Sequence, residues 1–187
     1  MIVLAPELDP DPAPRSTPAS QTSVPPPRAQ RLPSARTLSR FLDGAQAAVR
    51  LPGQVTLLLT TDAGIRRLNR RFRGKNKATD VLSFPAMAVP GLKGAEAPAG
   101  DLAISVDTAR KQAKEQGHAL GTELKVLILH GLLHLAGYDH ETDSGKMARR
   151  EQLLRGRLGL PQGLIERVES AALPPPRKPR ARAGKKA

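Results

Sequence analysis

From Leu124 to Ala136 the chain reads LKVLILHGLLHLA. Its apolar residues point every way around a helix. A helix apolar on nearly its whole circumference is stable only where other elements cover it on several sides. The run is too short to span a bilayer, which takes about 20 apolar residues, and His130 and His134 interrupt it. This stretch therefore predicts an interior helix, over Thr122 to Ala136, in a layered domain.

The two histidines are four residues apart, so on a helix they stack on one face. Their Nε2 atoms can converge on one ion, with Leu127, Leu129, Leu132, Leu133 and Leu135 burying the remaining surface. Gly137 is suited to ending the helix in the left-handed conformation. The chain can then turn back and bring His140 to the same ion. Three imidazoles leave a fourth zinc position open, the layout of a catalytic rather than a structural site. Zinc is the expected ion, one per chain, although imidazole suits nickel too.

The surrounding sequence predicts the layers. Ser34 is placed to cap a helix with Leu38, Phe41, Leu42, Ala45 and Val49 at helical spacing. Val55 to Thr60 reads as a strand. A short helix follows, with Asp62 as its cap and Ile65, Leu68 and Phe72 facing the core. TDVLSFPA and GDLAISVD are two further strands. Asp107 to Gly117 is a polar helix, and Asp143 to Leu158 an amphipathic one that buries Met147, Leu153, Leu154 and Leu158. The opening MIVLA is a possible edge strand, set apart by a Pro-rich segment, Pro10 to Pro33, whose composition predicts disorder. The sum is a small α/β (α+β) domain of about four strands and five helices over residues 34–169. A flexible basic tail follows over residues 170–187; its AALPPPRKPRARAGKKA, from Ala171, holds six basic residues and no acidic one.

Charge points toward a partner. Lys and Arg number 30 against 17 Asp and Glu, a net +13, which favours a polyanion such as nucleic acid over a membrane surface. RRLNRRFRGKNK, Arg66 to Lys77, carries seven basic residues in twelve. With Ile65, Leu68 and Phe72 inward, Arg66, Arg67, Arg70 and Arg71 should project to solvent as a phosphate track, extended by Lys75 and Lys77. Arg73, just beyond that helix, could grip a reacting phosphate with its guanidinium fork. Cysteine is absent, which excludes disulfides, thiolate metal sites and cysteine nucleophiles. The N-terminus lacks the basic region of a secretory signal, so a cytoplasmic location is expected.

Two long motifs in order carry a family resemblance. HGLLHLAGYDH and LNRRFRGKNKATDVLSFP, with GDLAIS and QAKEQGHALGTEL between them, closely resemble the bacterial YbeY family of single-strand-specific endoribonucleases, which mature ribosomal RNA. The resemblance covers roughly Val55 to Arg150. It implies a zincin-like fold with a mixed sheet of about four strands beside the metal helix. It also implies metal ligation by His130, His134 and His140, and a functional arginine at Arg73. The partners it implies are ribosomal RNA precursor, the small ribosomal subunit and ribosome-assembly proteins. Phe72 stands where the family commonly has tyrosine, Asn76 where it has aspartate and Ala78 where it has proline. The first departure predicts a packed ring whose hydroxyl is dispensable.

A metallopeptidase helix has a glutamate beside its first histidine as general base; here Gly131 holds that position. The expected reaction is therefore metal-dependent RNA phosphodiester cleavage. A non-catalytic assembly factor with a structural metal is the alternative, and a metallopeptidase a weaker third. Asp139 and Glu141 flank His140 and are candidates for supporting hydrogen bonds to the site or for a base, the former role suiting Asp139 better. Asp80 is expected to fix the loop carrying Arg73, His118 to be structural and Tyr138 to pack.

Overall fold

The computed structural model describes residues 1–5, 27–87, 90–92, 94–140 and 143–161. Glu141, most of the Pro-rich segment and the basic tail lie outside the described residues. The elements run β1 (Ile2–Leu4), α1 (Ala35–Val49), β2 (Gln54–Thr60), α2 (Asp62–Arg73), β3 (Val81–Pro85), β4 (Pro98–Ser105), α3 (Val106–Glu115), α4 (Leu120–Leu135) and α5 (Lys146–Leu158), with single 3-10 turns at Arg28–Gln30 and Gly94–Glu96. The expected α/β architecture of four strands and five helices is the one observed.

The sheet order is β1-β2-β4-β3. β1, β2 and β4 are parallel, while β3 runs antiparallel to β4 and forms an edge. Alternation along the strands sorts the helices between two faces. Leu57, Leu59, Leu102 and Ile104 join the main core with residues of α1, α4 and α5. Leu58, Leu82, Ala103 and Phe84 face the other way, against Ile65 and Leu68 of α2. The histidine-bearing helix α4 and the basic helix α2 thus lie on opposite faces of one sheet. α4 is buried along nearly its whole length, as its composition requires.

Several local expectations hold. Ser34 caps α1, accepting from the Thr37 N–H at 3.2 Å. Asp80 accepts from the Val81 N–H at 2.8 Å and from Gln112 Nε2 at 3.0 Å, fixing the end of the loop that follows α2. His118 pairs with the buried Glu123 at 3.0 Å. Tyr138 packs partly buried against the main core.

Others are corrected. The cap of α2 is Thr61, whose hydroxyl accepts from the Gly64 N–H at 3.2 Å. Asp62 is instead the first helical residue, and its carboxylate accepts from Ser105 Oγ at 2.5 Å and Thr108 Oγ1 at 2.7 Å, with Lys111 Nζ at 3.1 Å. Burial pushes the Asp62 pKa up, but these three partners outweigh it and hold it below the ordinary value. Asp107 accepts from the Asp62 N–H in return, at 3.0 Å, so the N-termini of α2 and α3 are tied together. Arg73 is the last residue of α2 rather than a residue beyond it.

Two apolar residues expected inside are outside. Phe72 is 58% exposed and Leu153 49%. The inward positions they were assigned are filled by Asn69, which donates from Nδ2 to the Lys77 carbonyl at 2.7 Å, and by Glu151 and Arg155. Arg28–Gln30 makes a 3-10 turn, and Leu32 packs against the main core.

Candidate metal centre

His130 and His134 lie one turn apart near the end of α4. The helix stops as its sequence predicts. The Gly137 N–H bonds the His134 carbonyl and the Tyr138 N–H bonds the Leu133 carbonyl, both at 3.0 Å. This paired arrangement needs a left-handed residue at its centre, and Gly137 supplies it with φ +88°. The reversal returns the chain so that His140 faces the helix. Its ring centroid is 5.6 Å from that of His130 and 5.3 Å from that of His134. One ligand nitrogen from each of the three rings lies within 4.8 Å of the others.

The proton positions suit a cation. His130 Nδ1 is 3.0 Å from Glu151 Oε2. Glu151 is 1% exposed, and its other oxygen accepts from Arg155 Nε at 2.8 Å. Burial raises the Glu151 pKa, but the His130 and Arg155 contacts outweigh burial and hold it below the ordinary value. An ionised carboxylate there accepts a proton-bearing Nδ1, which leaves Nε2 as the ring nitrogen turned toward the other histidines. His134 has its pKa lowered to about 4, by burial first and then by repulsion from His130 and His140, against a backbone hydrogen bond to Tyr138 and the charge of Asp139. It is neutral near pH 7. The Nε2 atoms of His130 and His134 face each other at 3.1 Å. Nitrogens about 2.0–2.1 Å from a shared tetrahedral ion would lie about 3.3 Å apart. Two imidazole nitrogens this close, with a third imidazole beside them, fit a divalent ion of the zinc type.

Glu151 and Arg155 were missed at the level of sequence. A signal was there: Met147, Glu151, Leu154 and Leu158 form one stripe at 4-3-4 spacing. A carboxylate at an inward position of an otherwise apolar stripe needs a buried partner. Arg155, one turn on and 2% exposed, also donates from Nη1 to the Pro161 carbonyl at 2.7 Å. Pro161, Arg155, Glu151 and His130 thus form a chain of contacts that leads to the metal centre.

Gly131 sits between the histidines where the helix meets the sheet. A Cβ there would be 2.7 Å from Leu102 Cδ2 and 3.3 Å from Ser83 Oγ, and Ser83 Oγ donates to the Gly131 carbonyl at 3.3 Å. The position is filled by the sheet, so no side chain can serve as a base from it. Asp139 is half-buried and lies near enough for its charge to act on His134.

Arg66, Arg67, Arg70 and Arg71 are exposed, as predicted, and so are Arg73, Lys75 and Lys77. They are not gathered among the histidines, because α2 lies across the sheet. The two helices nevertheless end at the same end of β3. Leu135, at the close of α4, lies against Gly100, which is in register with Pro85. Phe72, in the last turn of α2, meets Phe84 at a ring-centroid distance of 5.1 Å. The metal centre and the basic cluster therefore flank one end of a single edge strand.

One prediction follows from the histidine geometry alone. Protein purified without added metal or a histidine tag should carry about one tightly held divalent ion per chain by elemental analysis. Traces of many metals at well below stoichiometry would rule the site out.

The sequence compares closely with known proteins. A family model described as Endoribonuclease YbeY matches residues 27–159. The protein named Endoribonuclease YbeY from Koribacter versatilis is 52% identical over 139 residues, 74% of this chain and 87% of that one. Its namesakes from Solibacter usitatus and Nautilia profundicola are each 52% identical, over 133 and 115 residues. Those alignments cover 71% and 62% of this chain and 85% and 79% of theirs.

Proposed function

Given that this chain belongs to the YbeY family and is an endoribonuclease of it, we propose that it cleaves single-stranded RNA, ribosomal RNA precursor in particular, at the three-histidine centre. The observation that carries this reading is the convergence of His130, His134 and His140, with the Nε2 atoms of the first two facing each other, beside a strongly basic helix end. A divalent ion held there would supply Lewis acidity toward a phosphoryl oxygen.

The chain's own residues then divide the work. Glu151 holds His130 in one tautomer and Arg155 holds Glu151. Arg66, Arg67, Arg70, Arg71, Lys75 and Lys77 bind flanking phosphates and position the strand without reading its sequence. Arg73 grips the reacting phosphate and offsets charge developing on its oxygens. A strand passing the Phe84–Pro85 end of β3 would meet α2's cations on one side of the sheet and the histidines on the other. Asp139 supports the His134 and His140 turn by its charge. Action on ribosomal precursor within ribosome assembly and quality control, beside the small subunit, is part of the same proposal. A metallopeptidase reading has no support, because the position of its base is occupied by Leu102 and Ser83.

The test is single-turnover cleavage of a labelled single-stranded RNA with and without chelator, beside His134→Ala. Loss of cleavage in both is the expected result; equal cleavage in all samples would mean a contaminating nuclease. Arg73→Ala should slow cleavage of saturated RNA by about 10²-fold. Arg70→Ala should instead weaken binding and lower its salt slope by up to about 1. An Arg73→Ala protein that cleaves at the wild-type rate once saturated would move Arg73 into the binding track.

A further inference from the structure

Phe72 is the large apolar side chain that the basic helix leaves in solvent. The residue is 58% exposed in the last turn of α2. Exposed cations surround it in sequence: Arg70 and Arg71 before it, Arg73 and Lys75 after it. The Arg71 guanidinium carbon lies 5.4 Å from the ring centroid, within cation–π range. Phe84 on β3 holds the ring in an edge contact at 5.1 Å with an interplanar angle of 64°. An exposed phenylalanine gains nothing from folding by facing water, and here it is held in place by a second aromatic instead of being folded away.

We propose that Phe72, held by Phe84, is a stacking surface for an unpaired nucleobase of the bound RNA. The inference rests on the reading of RNA as substrate and adds to it the means of selecting single strands. The neighbouring cations supply sequence-independent attraction for phosphate, which paired and unpaired RNA share. An aromatic face discriminates, because only a base released from its own helix can lie on it. The location is apt, since Phe72 and Phe84 sit at the end of the edge strand that separates the basic cluster from the histidines. The ring's packing also lowers the ordering needed on binding.

The protein has no tryptophan, so Phe72→Trp would place its only indole at the proposed contact. Two probes are compared in equilibrium binding to the intact protein: a short oligouridylate, and an abasic strand with the same number of phosphates. Phe72→Ala should lose about 5- to 150-fold in affinity for oligouridylate while its affinity for the abasic strand and its salt slope stay those of wild type. Phe72→Tyr should bind as wild type does. The indole of Phe72→Trp should be quenched saturably by oligouridylate and not by the abasic strand. Wild-type affinity of Phe72→Ala for oligouridylate would overturn the inference and leave the RNA reading standing. An equal loss for both strands would also overturn it, by making the ring a structural support for the cations. Failure of the wild-type protein to bind either strand would overturn the RNA reading, and this inference with it.

Discussion

Glu151→Ala should give a protein that is both less stable and poor at holding metal. The carboxylate is buried between His130 and Arg155, with contacts of 3.0 Å and 2.8 Å. Removing it takes the counter-charge from the Arg155 guanidinium, 2% exposed, in a low-dielectric interior. Breaking a buried pair from one side costs about 3–5 kcal/mol, far more than the pair's own net contribution. Chemical unfolding of the metal-free protein measures that loss separately from the ion. The second effect is on His130, which would no longer be fixed with its proton on Nδ1. Loss of such an orienting carboxylate lowers metal affinity by about 10- to 100-fold. Glu151→Gln separates the two effects, since the amide retains a hydrogen-bonding oxygen for the ring but no charge for the arginine. A Glu151→Ala protein within 1 kcal/mol of wild type, with unchanged metal affinity, would show that the His130–Glu151–Arg155 chain is a passive contact.

Gly131→Glu should destabilise the fold severely and produce no peptidase. The substitution rebuilds, in sequence, the histidine–glutamate pair of a zinc peptidase helix. In space it drives a side chain into Leu102, which is fully buried, and against Ser83. Overpacking of this kind costs about 1–3 kcal/mol, and a carboxylate forced against the sheet without a partner adds several more. Gly131→Ala isolates the steric part. Its gain in helix propensity, about 1 kcal/mol, offsets some of the overpacking, so a net loss of about 1 kcal/mol is expected. Unfolding midpoints of the three proteins, with a casein digest beside them, check both claims. A Gly131→Glu protein of wild-type stability that cleaves casein would mean that the helix stands off the sheet far enough to accept a base.

Much of this molecule was decided locally and could be read locally. The apolar circumference of LKVLILHGLLHLA demanded a covered helix, the four-residue spacing put His130 and His134 on one face, and Gly137 ended the helix so that His140 could return. Each is a property of one short segment, fixed by helix geometry whatever lies beyond it. The exposure of Arg66, Arg67, Arg70 and Arg71 was legible for the same reason.

Tertiary structure decided the rest. Which side of a helix is covered depends on partners distant in sequence. Phe72 was assigned to the core by its spacing from Ile65 and Leu68, yet α2 turns Asn69 inward toward the Lys77 carbonyl and leaves the ring to Phe84. Leu153 was assigned inward although the face of α5 that meets His130 carries Glu151 and Arg155, a charged pair held in the interior by each other, by His130 and by the Pro161 carbonyl. The alternating faces of β2 and β4 put α2 and α4 on opposite sides of the sheet, a placement that no local pattern in the sequence shows. Sequence alone determined the three clustered histidines, the helix that carries two of them and the cations of α2. The sheet decided that, among the described residues, those cations and histidines approach each other around the end of β3, because side chains of neighbouring strand residues must point to opposite faces.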